Sequence, residues 1–189
     1  MYVCERMIRP LLLCLLLSAC SSPSEPATVV TPPAETPPVQ PPARIDAKNG
    51  FRDHHFGDHR RTFSGLELNP HQSTPLKKVY EKPQEQKMIG TTPIFILRYN
   101  FYQDQFYGVD IETTMDVLPA LISLYGPASQ ADSVQQQYWW RGQTVTATLQ
   151  KSPGAAPWLS IWSNPLRAQL EAAEQAAVQQ QGQAASADL

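Results

Sequence analysis

The densest group of potential metal ligands lies at 53–59, where the sequence reads Asp-His-His-Phe-Gly-Asp-His. His55 and His59 are four residues apart, and on a helix they would share one face, as zinc-binding pairs often do. Gly57 lies between them and disfavours such a helix. We therefore expect a polar connection in which His54, His55 and His59 face water. Metal-dependent activity through these histidines is the less favoured alternative.

Sequence signatures of catalysis are missing. No G-x-S-x-G, Walker loop, G-x-G-x-x-G or EF-hand pattern occurs, and every cysteine lies at or before residue 20. Asp110 and Glu112 could form a pair of carboxylates, but their alternation along a strand places them on a solvated sheet face. The sequence therefore predicts a non-enzymatic domain that needs no cofactor.

Tryptophans give the stronger functional signal. The candidate binding residues are Trp139, Trp140, Trp158 and Trp162. The first two are neighbours on a predicted strand, so they point to opposite faces. On the last predicted strand, Leu159 and Ile161 would enter the core, which turns both of its tryptophans outward. An exposed aromatic cluster marks a binding surface, and it could stack on a glycan such as peptidoglycan or accept a peptide strand. Alternatively, the C-terminal helix or residues 48–65 cover this face.

A β-hairpin is the clearest structural pattern. Strands 94–102 and 106–113 flank a predicted three-residue loop at 103–105. That register pairs Leu97 with Ile111, Tyr99 with Val109 and Phe101 with Tyr107. The same alternation adds Phe95 to the apolar face and sets Arg98 opposite Asp110 on the other face, as a cross-strand charge pair.

The remaining pattern predicts an α+β fold. A helix should begin after Thr113 or Thr114 and end at Tyr125, with an apolar stripe of Val117, Leu118, Leu121, Ile122 and Tyr125. Strands are predicted at 66–68, 76–81, 136–141, 143–150 and 158–163, and a short helix capped by Asp58 at 58–63. We expect a small antiparallel sheet with the hairpin, one main packed helix and a C-terminal three-stranded meander.

The segment after this domain, 166–189, is rich in Ala and Gln. Asn164 and Pro165 are good helix-start signals, and Gly182 is a plausible stop. The sequence therefore predicts a globular domain at 48–165, then a helix that packs loosely or stands free, and a disordered tail from 183. The formal net charge is −2, which gives no overall attraction to nucleic acid.

The N-terminal residues carry a targeting signal. Arg6 and Arg9 precede an apolar run at 11–17, the pattern of a secretory signal peptide that begins at Met1 or Met7. Leu17-Ser18-Ala19-Cys20 follows, and this tetrapeptide resembles the lipobox of bacterial lipoproteins. The resemblance implies that 1–19 is removed and that Cys20 carries a diacylglycerol and an N-acyl chain such as palmitate. Ser21 then indicates the outer membrane, facing the periplasm, as the location.

A proline-rich segment at 20–47 follows the proposed lipid site. Its composition favours disorder and extended polyproline II, which could hold the domain up to roughly 80 Å from the membrane. We therefore expect a lipid-anchored envelope protein whose domain binds or scaffolds an envelope protein partner. Recognition of a glycan or peptidoglycan through the tryptophan face is the alternative.

Short aromatic and glycine motifs add a distant resemblance to small domains of bacterial envelope proteins. They are Gly50-Phe51-Arg52, Phe56-Gly57, Tyr99-Asn100-Phe101-Tyr102 and Tyr125-Gly126-Pro127. In that group of domains the proline does not directly follow the glycine, whereas in this chain Pro127 directly follows Gly126. The resemblance implies no activity.

Overall fold

A computed structural model describes residues 43–187 of the chain. The predicted signal peptide at 1–19, the predicted lipid site Cys20 and most of the proline-rich segment lie outside the described residues. The helices are α1 (Arg44–Ala47), α2 (Leu118–Tyr125) and α3 (Asn164–Ala187). The strands are β1 (Gly50–Phe51), β2 (His54–His55), β3 (Glu67–Leu68), β4 (Lys77–Glu81), β5 (Met88–Ile89), β6 (Thr92–Tyr102), β7 (Gln105–Thr113), β8 (Gln130–Asp132), β9 (Gln137–Arg141), β10 (Val145–Gln150) and β11 (Trp158–Ser163).

Antiparallel pairing organises these strands. Within residues 43–187, nine of them form one sheet in the order β3-β4-β6-β7-β11-β10-β9-β8, with β5 on the first half of β6, while β1 and β2 form a separate pair. The mixed helix-and-sheet class is as predicted, and so is the meander β9-β10-β11. The sheet is wider than the small one expected. The reason is that β11, the last strand of the meander, pairs with β7 of the hairpin and so unites the two in one sheet.

The hairpin β6–β7 differs from prediction in its turn. Tyr102 pairs with Gln105, so the loop has two residues, Gln103 and Asp104, both with positive φ (48° and 60°). Positive φ at both central positions is the geometry that matches the twist of hairpin strands. The predicted three-residue loop is therefore wrong.

A β-bulge then restores the predicted register further along the hairpin. Tyr107 is the extra residue between the pairs Phe101–Phe106 and Asn100–Gly108. The predicted pairing of Phe101 with Tyr107 is wrong for this reason. Beyond the bulge, three predicted pairs are confirmed: Leu97–Ile111, Tyr99–Val109 and Arg98–Asp110.

A second bulge, in β6, corrects the prediction for Phe95. Ile94 pairs with Thr113 and Ile96 pairs with Glu112, which leaves Phe95 as the extra residue. The irregularity breaks the two-residue period, so Ile94 is buried in the core while Phe95 is 65% exposed. Phe95 is therefore not part of the apolar face.

The core lies on one face of the sheet, where α1, α2 and the segment that carries Phe56 and Phe63 contribute buried side chains. Its centre is an aromatic cluster of Phe56, Phe63, Tyr99, Phe101 and Phe106. Helix α2 starts at Leu118 rather than near Thr114, because Thr113 is still the last residue of β7 and Asp116 accepts from the Leu118 amide. Val117 and Leu121 are buried as predicted, but Ile122 is 43% exposed, so its assignment to the packed stripe is wrong.

The fold begins earlier than the predicted boundary at residue 48. Ile45 of α1 is buried in the core. The Asp46 carboxylate accepts hydrogen bonds from the backbone amides of Gln143, Thr144 and Val145 and from the Thr144 hydroxyl. Residues 43–47 therefore belong to the domain rather than to the proline-rich linker.

Helix α3 is longer than predicted and packs on the sheet at its N-terminal end. Leu166 and Leu170 are buried against Tyr102 and Tyr107. The helix continues through Gly182, because an interior glycine costs only about 1 kcal/mol and the following residues are mostly Ala and Gln. The predicted stop at Gly182 and the predicted disorder of 183–187 are therefore wrong. Among the described helices, none has both the length and the hydropathy needed to span a bilayer.

Candidate functional site

The outer face is the side of the sheet opposite the aromatic core. A row of polar side chains crosses it from β4 to β11: Glu81, Arg98, Asp110 and Ser160. Asp110 accepts from Asn100 Nδ2 at 2.8 Å and from the Ser160 hydroxyl at 2.6 Å. Arg98 lies opposite Asp110 as predicted, but its ion pair is with Glu81, at 3.5 Å. The two oxygens of Asp110 are thus committed to neutral donors.

Helix α3 crosses one end of this face and leaves a cleft of about 190 Å³ beneath it, which we call the outer cleft. Five of the residues lining the outer cleft are charged: Lys77, Asp110, Arg167, Glu171 and Glu174. Arg167 pairs with Glu171 at 2.8 Å and lies 4.6 Å from the centre of the Trp162 ring. The outer cleft therefore presents three carboxylates against two cations, one of which is already paired.

The inner wall of the outer cleft is built by the β7 bulge. Consecutive residues of a strand normally face opposite sides of the sheet, but at this bulge both Tyr107 and Gly108 line the outer cleft. A Cβ on Gly108 would lie 2.9 Å from the Ile161 carbonyl oxygen and 3.2 Å from Trp162 Cβ, so glycine allows β11 to approach this closely. Burial raises the pKa of the Tyr107 hydroxyl well above its usual range, and the Asp110 charge adds to the shift, so this hydroxyl stays neutral.

Asn100 supplies an unpaired acceptor beside the outer cleft. Its side chain is 5% exposed and lines the cleft wall. The hydrogen bond from Nδ2 to Asp110 fixes the amide orientation, because a flipped amide would direct its oxygen at a carboxylate. Within the described residues, Asn100 Oδ1 then has no hydrogen-bond partner. An unpaired buried acceptor costs about 1–3 kcal/mol, which a donor reaching this oxygen would recover.

The tryptophans do not form an open cluster, and α3 covers part of their face, which is one of the two arrangements that the sequence allowed. Leu159 and Ile161 are buried as predicted, and the two tryptophans of β11 lie on the outer face. Trp162 packs under α3 with the Arg167 guanidinium over its ring, and Trp158 has Arg98 at 5.7 Å from its ring centre.

The tryptophan pair of β9 divides between the two faces, as expected for neighbours on a strand. Trp140 is buried in the core, with Nε1 donating to the Gly126 carbonyl, so it cannot act as a surface residue. Trp139 is half-buried on the outer face, beside Thr148 of β10. Of the three candidates on the outer face, only Trp139 has no arginine over its ring, so glycan stacking would have this ring alone.

The three histidines at 54–59 have separate structural environments. His54 stacks on Phe63 with ring centroids 3.6 Å apart, and burial, helped by Lys82, lowers its pKa. His55 is exposed at the end of β2, and His59 Nδ1 accepts from the Arg61 amide at the start of a single 3-10 turn. That turn, capped by His59, replaces the helix predicted from Asp58. Within residues 43–187 no three potential ligands are grouped to hold a metal ion.

Comparison with known proteins adds no relative. Scans against protein-family models, curated proteins and solved structures found no match to this chain. The role of the domain therefore has to be inferred from its own residues.

Sequence reasoning missed most of the outer cleft. Asn100, Gly108 and Glu174 were not singled out, and Asp110 was placed only on a solvated face. Gly108 alone carried a usable signal, because a glycine in the interior of a strand marks a bulge or a close backbone approach. The other residues come together only through the packing of α3 on the outer face.

Proposed function

We propose that this chain is a lipid-anchored protein of a bacterial envelope whose domain is a non-enzymatic binding module. The outer cleft is its binding site, and the partner is an envelope protein that inserts one basic side chain. The observation that carries this proposal is Asn100, a buried side chain with an unpaired acceptor on the wall of a preformed cleft.

The size of the outer cleft favours a protein partner. Sites for small molecules usually have volumes of about 300–1,000 Å³, whereas this cleft has about 190 Å³. A single side chain presented by a partner surface fits such a volume. The surrounding protein surface would then contribute the remaining contact area.

The charges that line the outer cleft determine which kind of partner side chain fits it. Asp110 and Glu174 have no cation paired with them among the described residues, and Asn100 Oδ1 is an acceptor. Acceptors of this kind match a lysine or arginine side chain, which has only donors. The hydrogen bonds from Asn100 and Ser160 to Asp110 also fit a role in binding better than in proton transfer, because they hold this carboxylate in place as an acceptor.

Photo-crosslinking in cells tests the proposed site. A photoreactive amino acid at Gln175, exposed on α3 beside Glu174, should form one major cross-link to an envelope protein. Adding Glu174→Lys should lower the yield at least fivefold, since it repels a basic side chain. The products are measured by immunoblot and identified by mass spectrometry.

A second probe position provides the matched control. Val134 is exposed in the turn between β8 and β9 and does not line the outer cleft, so a probe there should not give the same product. Identical products from both probes, or a yield indifferent to Glu174→Lys, would count against the outer cleft. A Gln175 product shortened by muramidase would favour peptidoglycan instead.

The proposed anchor has its own test. Cys20→Ser removes the thiol that lipidation requires, so the chain should accumulate as an unprocessed precursor and lose incorporation of labelled palmitate. Gel mobility and metabolic labelling measure both effects, with Cys14→Ser as the control that keeps the lipobox. A Cys20→Ser protein that matured normally and appeared soluble in the periplasm would contradict the lipoprotein proposal.

A further inference from the structure

A second cavity, which we call the inner cavity, lies on the core side of the sheet, away from the outer cleft. It has a volume of about 270 Å³. Its apolar lining comes from Leu159 and Ile161 of β11 and from Leu121 and Leu124 of α2. Phe51 of β1 also lines it. The inner cavity thus reaches from the surface to the buried aliphatic side chains of the sheet.

The lining is mostly apolar, and one of its two cations has no ion-pair partner among residues 43–187. Arg52 lines the inner cavity, but its guanidinium pairs with Glu85 and donates to the carbonyls of Gln86 and Met88. Lys48 is exposed at the cavity and makes no ion pair with any other described residue. An apolar interior beside this lysine, which is unpaired within the part of the chain that the structure describes, complements an amphipathic ligand with a negative head.

Helix α2 leaves apolar surface at the cavity that its own packing does not cover. Leu124 is 44% exposed although it lines the cavity. Tyr125, the last residue of α2, also lines the cavity, and burial raises its pKa to about 12.

We propose that the inner cavity binds part of a single fatty-acyl chain with an anionic headgroup. The cavity is smaller than sites that enclose a whole ligand, so the rest of the chain lies outside it, along the exposed side of Leu124. The enclosed part contacts the leucines of α2 and the aliphatic side chains of β11, and the headgroup lies beside Lys48. Each methylene that leaves water contributes to binding, and the lysine selects a carboxylate or phosphate over a neutral head. This site is separate from the outer cleft and stands whether or not the outer cleft binds a protein.

Photolabelling with a twelve-carbon fatty acid tests this site. The full chain, kept in solution by an amphipathic polymer, is irradiated with a diazirine derivative of dodecanoate, and the adducts are located by mass spectrometry. We expect adducts on α2, at Leu121, Leu124 or Tyr125, that unlabelled dodecanoate displaces. Dodecanol should displace the probe less well. Adducts confined to other segments, or equal displacement by dodecanol, would overturn the proposal.

Two matched substitutions on α2 distinguish binding in the inner cavity from non-specific labelling of exposed apolar surface. Leu124→Trp should fill the mouth of the inner cavity and reduce labelling at least tenfold. Ile122→Trp is the control, because Ile122 is as exposed as Leu124 on the same helix but does not line the cavity. Equal labelling of the two variants would overturn the proposal, provided that both melt at the temperature of the parent protein.

Removal of the lysine charge tests the headgroup. Lys48→Gln should weaken displacement by dodecanoate roughly two- to fivefold, the effect of one exposed ion pair. Displacement by dodecanol should not change. A Lys48→Gln protein that loses affinity for both ligands equally would show that the lysine does not recognise the anionic head.

Discussion

Replacing Phe106 with alanine should destabilise the domain by about 3–5 kcal/mol, the usual cost of truncating a fully buried phenylalanine. Phe106 is 0% exposed, and its ring centroid lies 5.1–5.9 Å from those of four other aromatic residues: Phe56, Phe63, Tyr99 and Phe101. The substitution removes all of these contacts and leaves a cavity between the sheet and the segment that carries Phe63. The free energy of unfolding is measured by urea denaturation followed by circular dichroism.

Phe95→Ala on the same hairpin is the matched control. The side chain lost is the same, but Phe95 is 65% exposed, so its removal should change the free energy of unfolding by no more than about 0.5 kcal/mol. The pair therefore tests the β6 bulge as well as the core. Equal destabilisation by both substitutions would show that Phe95, and not only Phe106, packs in the interior.

The contrast between these two phenylalanines shows how far the sequence determines the hairpin. Alternation of apolar residues predicted the pairs of Leu97 and Tyr99 with their partners on β7, because a slip of one residue would turn the whole face to solvent. A bulge adds one residue to a strand without changing the kinds of residue that the strand contains. The alternation of apolar and polar residues therefore does not show where a bulge lies. The bulge in β6 reversed the expectation for Phe95, and the one in β7 moved Tyr107 to the outer face.

The outer cleft was harder to predict for a different reason. Asn100, Asp110 and Glu174 belong to three elements, and only the docking of α3 brings the last of them near the others. That docking depends on Leu166 and Leu170, which read as a weak apolar stripe in a helix rich in Ala and Gln. The local sequence therefore predicted that α3 is a helix. It did not predict which surface the charged side chains of α3 would face.

The predicted boundary of the domain was wrong because the contact that decides it joins residues far apart in the sequence. Asp46 follows a proline-rich segment whose composition resembles a linker. Its partners at 143–145 lie almost a hundred residues away, in the turn between β9 and β10 and at the first residue of β10. No local signal distinguishes this aspartate from the exposed Asp53.

Asp46→Ala should destabilise the domain by about 2–3 kcal/mol at pH 7. It removes a charged acceptor from three backbone amides and one hydroxyl, and hydrogen bonds to charged groups are the stronger ones. Water replaces part of this loss, since the site is not deeply buried. Asp53→Ala is the control, because Asp53 is exposed, and it should change the free energy of unfolding by no more than about 0.5 kcal/mol.

The pH dependence of the Asp46→Ala effect follows from the pKa of this carboxyl. Burial raises that pKa, but the hydrogen bonds from 143–145 outweigh burial and leave it below the usual 3.8. A carboxyl whose pKa is lowered on folding stabilises the protein above its unfolded pKa and loses that effect as the pH falls through the folded value. The difference in unfolding free energy between parent and Asp46→Ala should therefore be constant from pH 7 to about pH 5 and shrink below pH 4.

Gly142 provides the sharper test of the same contact. A Cβ at Gly142 would lie too close to the Asp46 carboxylate, and the backbone of Gly142 does not have a positive φ, so Gly142→Ala acts through this collision alone. Gly142→Ala should be strongly destabilising in the parent and close to neutral in the Asp46→Ala background, where the carboxylate is gone. A double-mutant cycle measures this coupling. Additive effects of the two substitutions would contradict the packing of Asp46 against the β9–β10 turn.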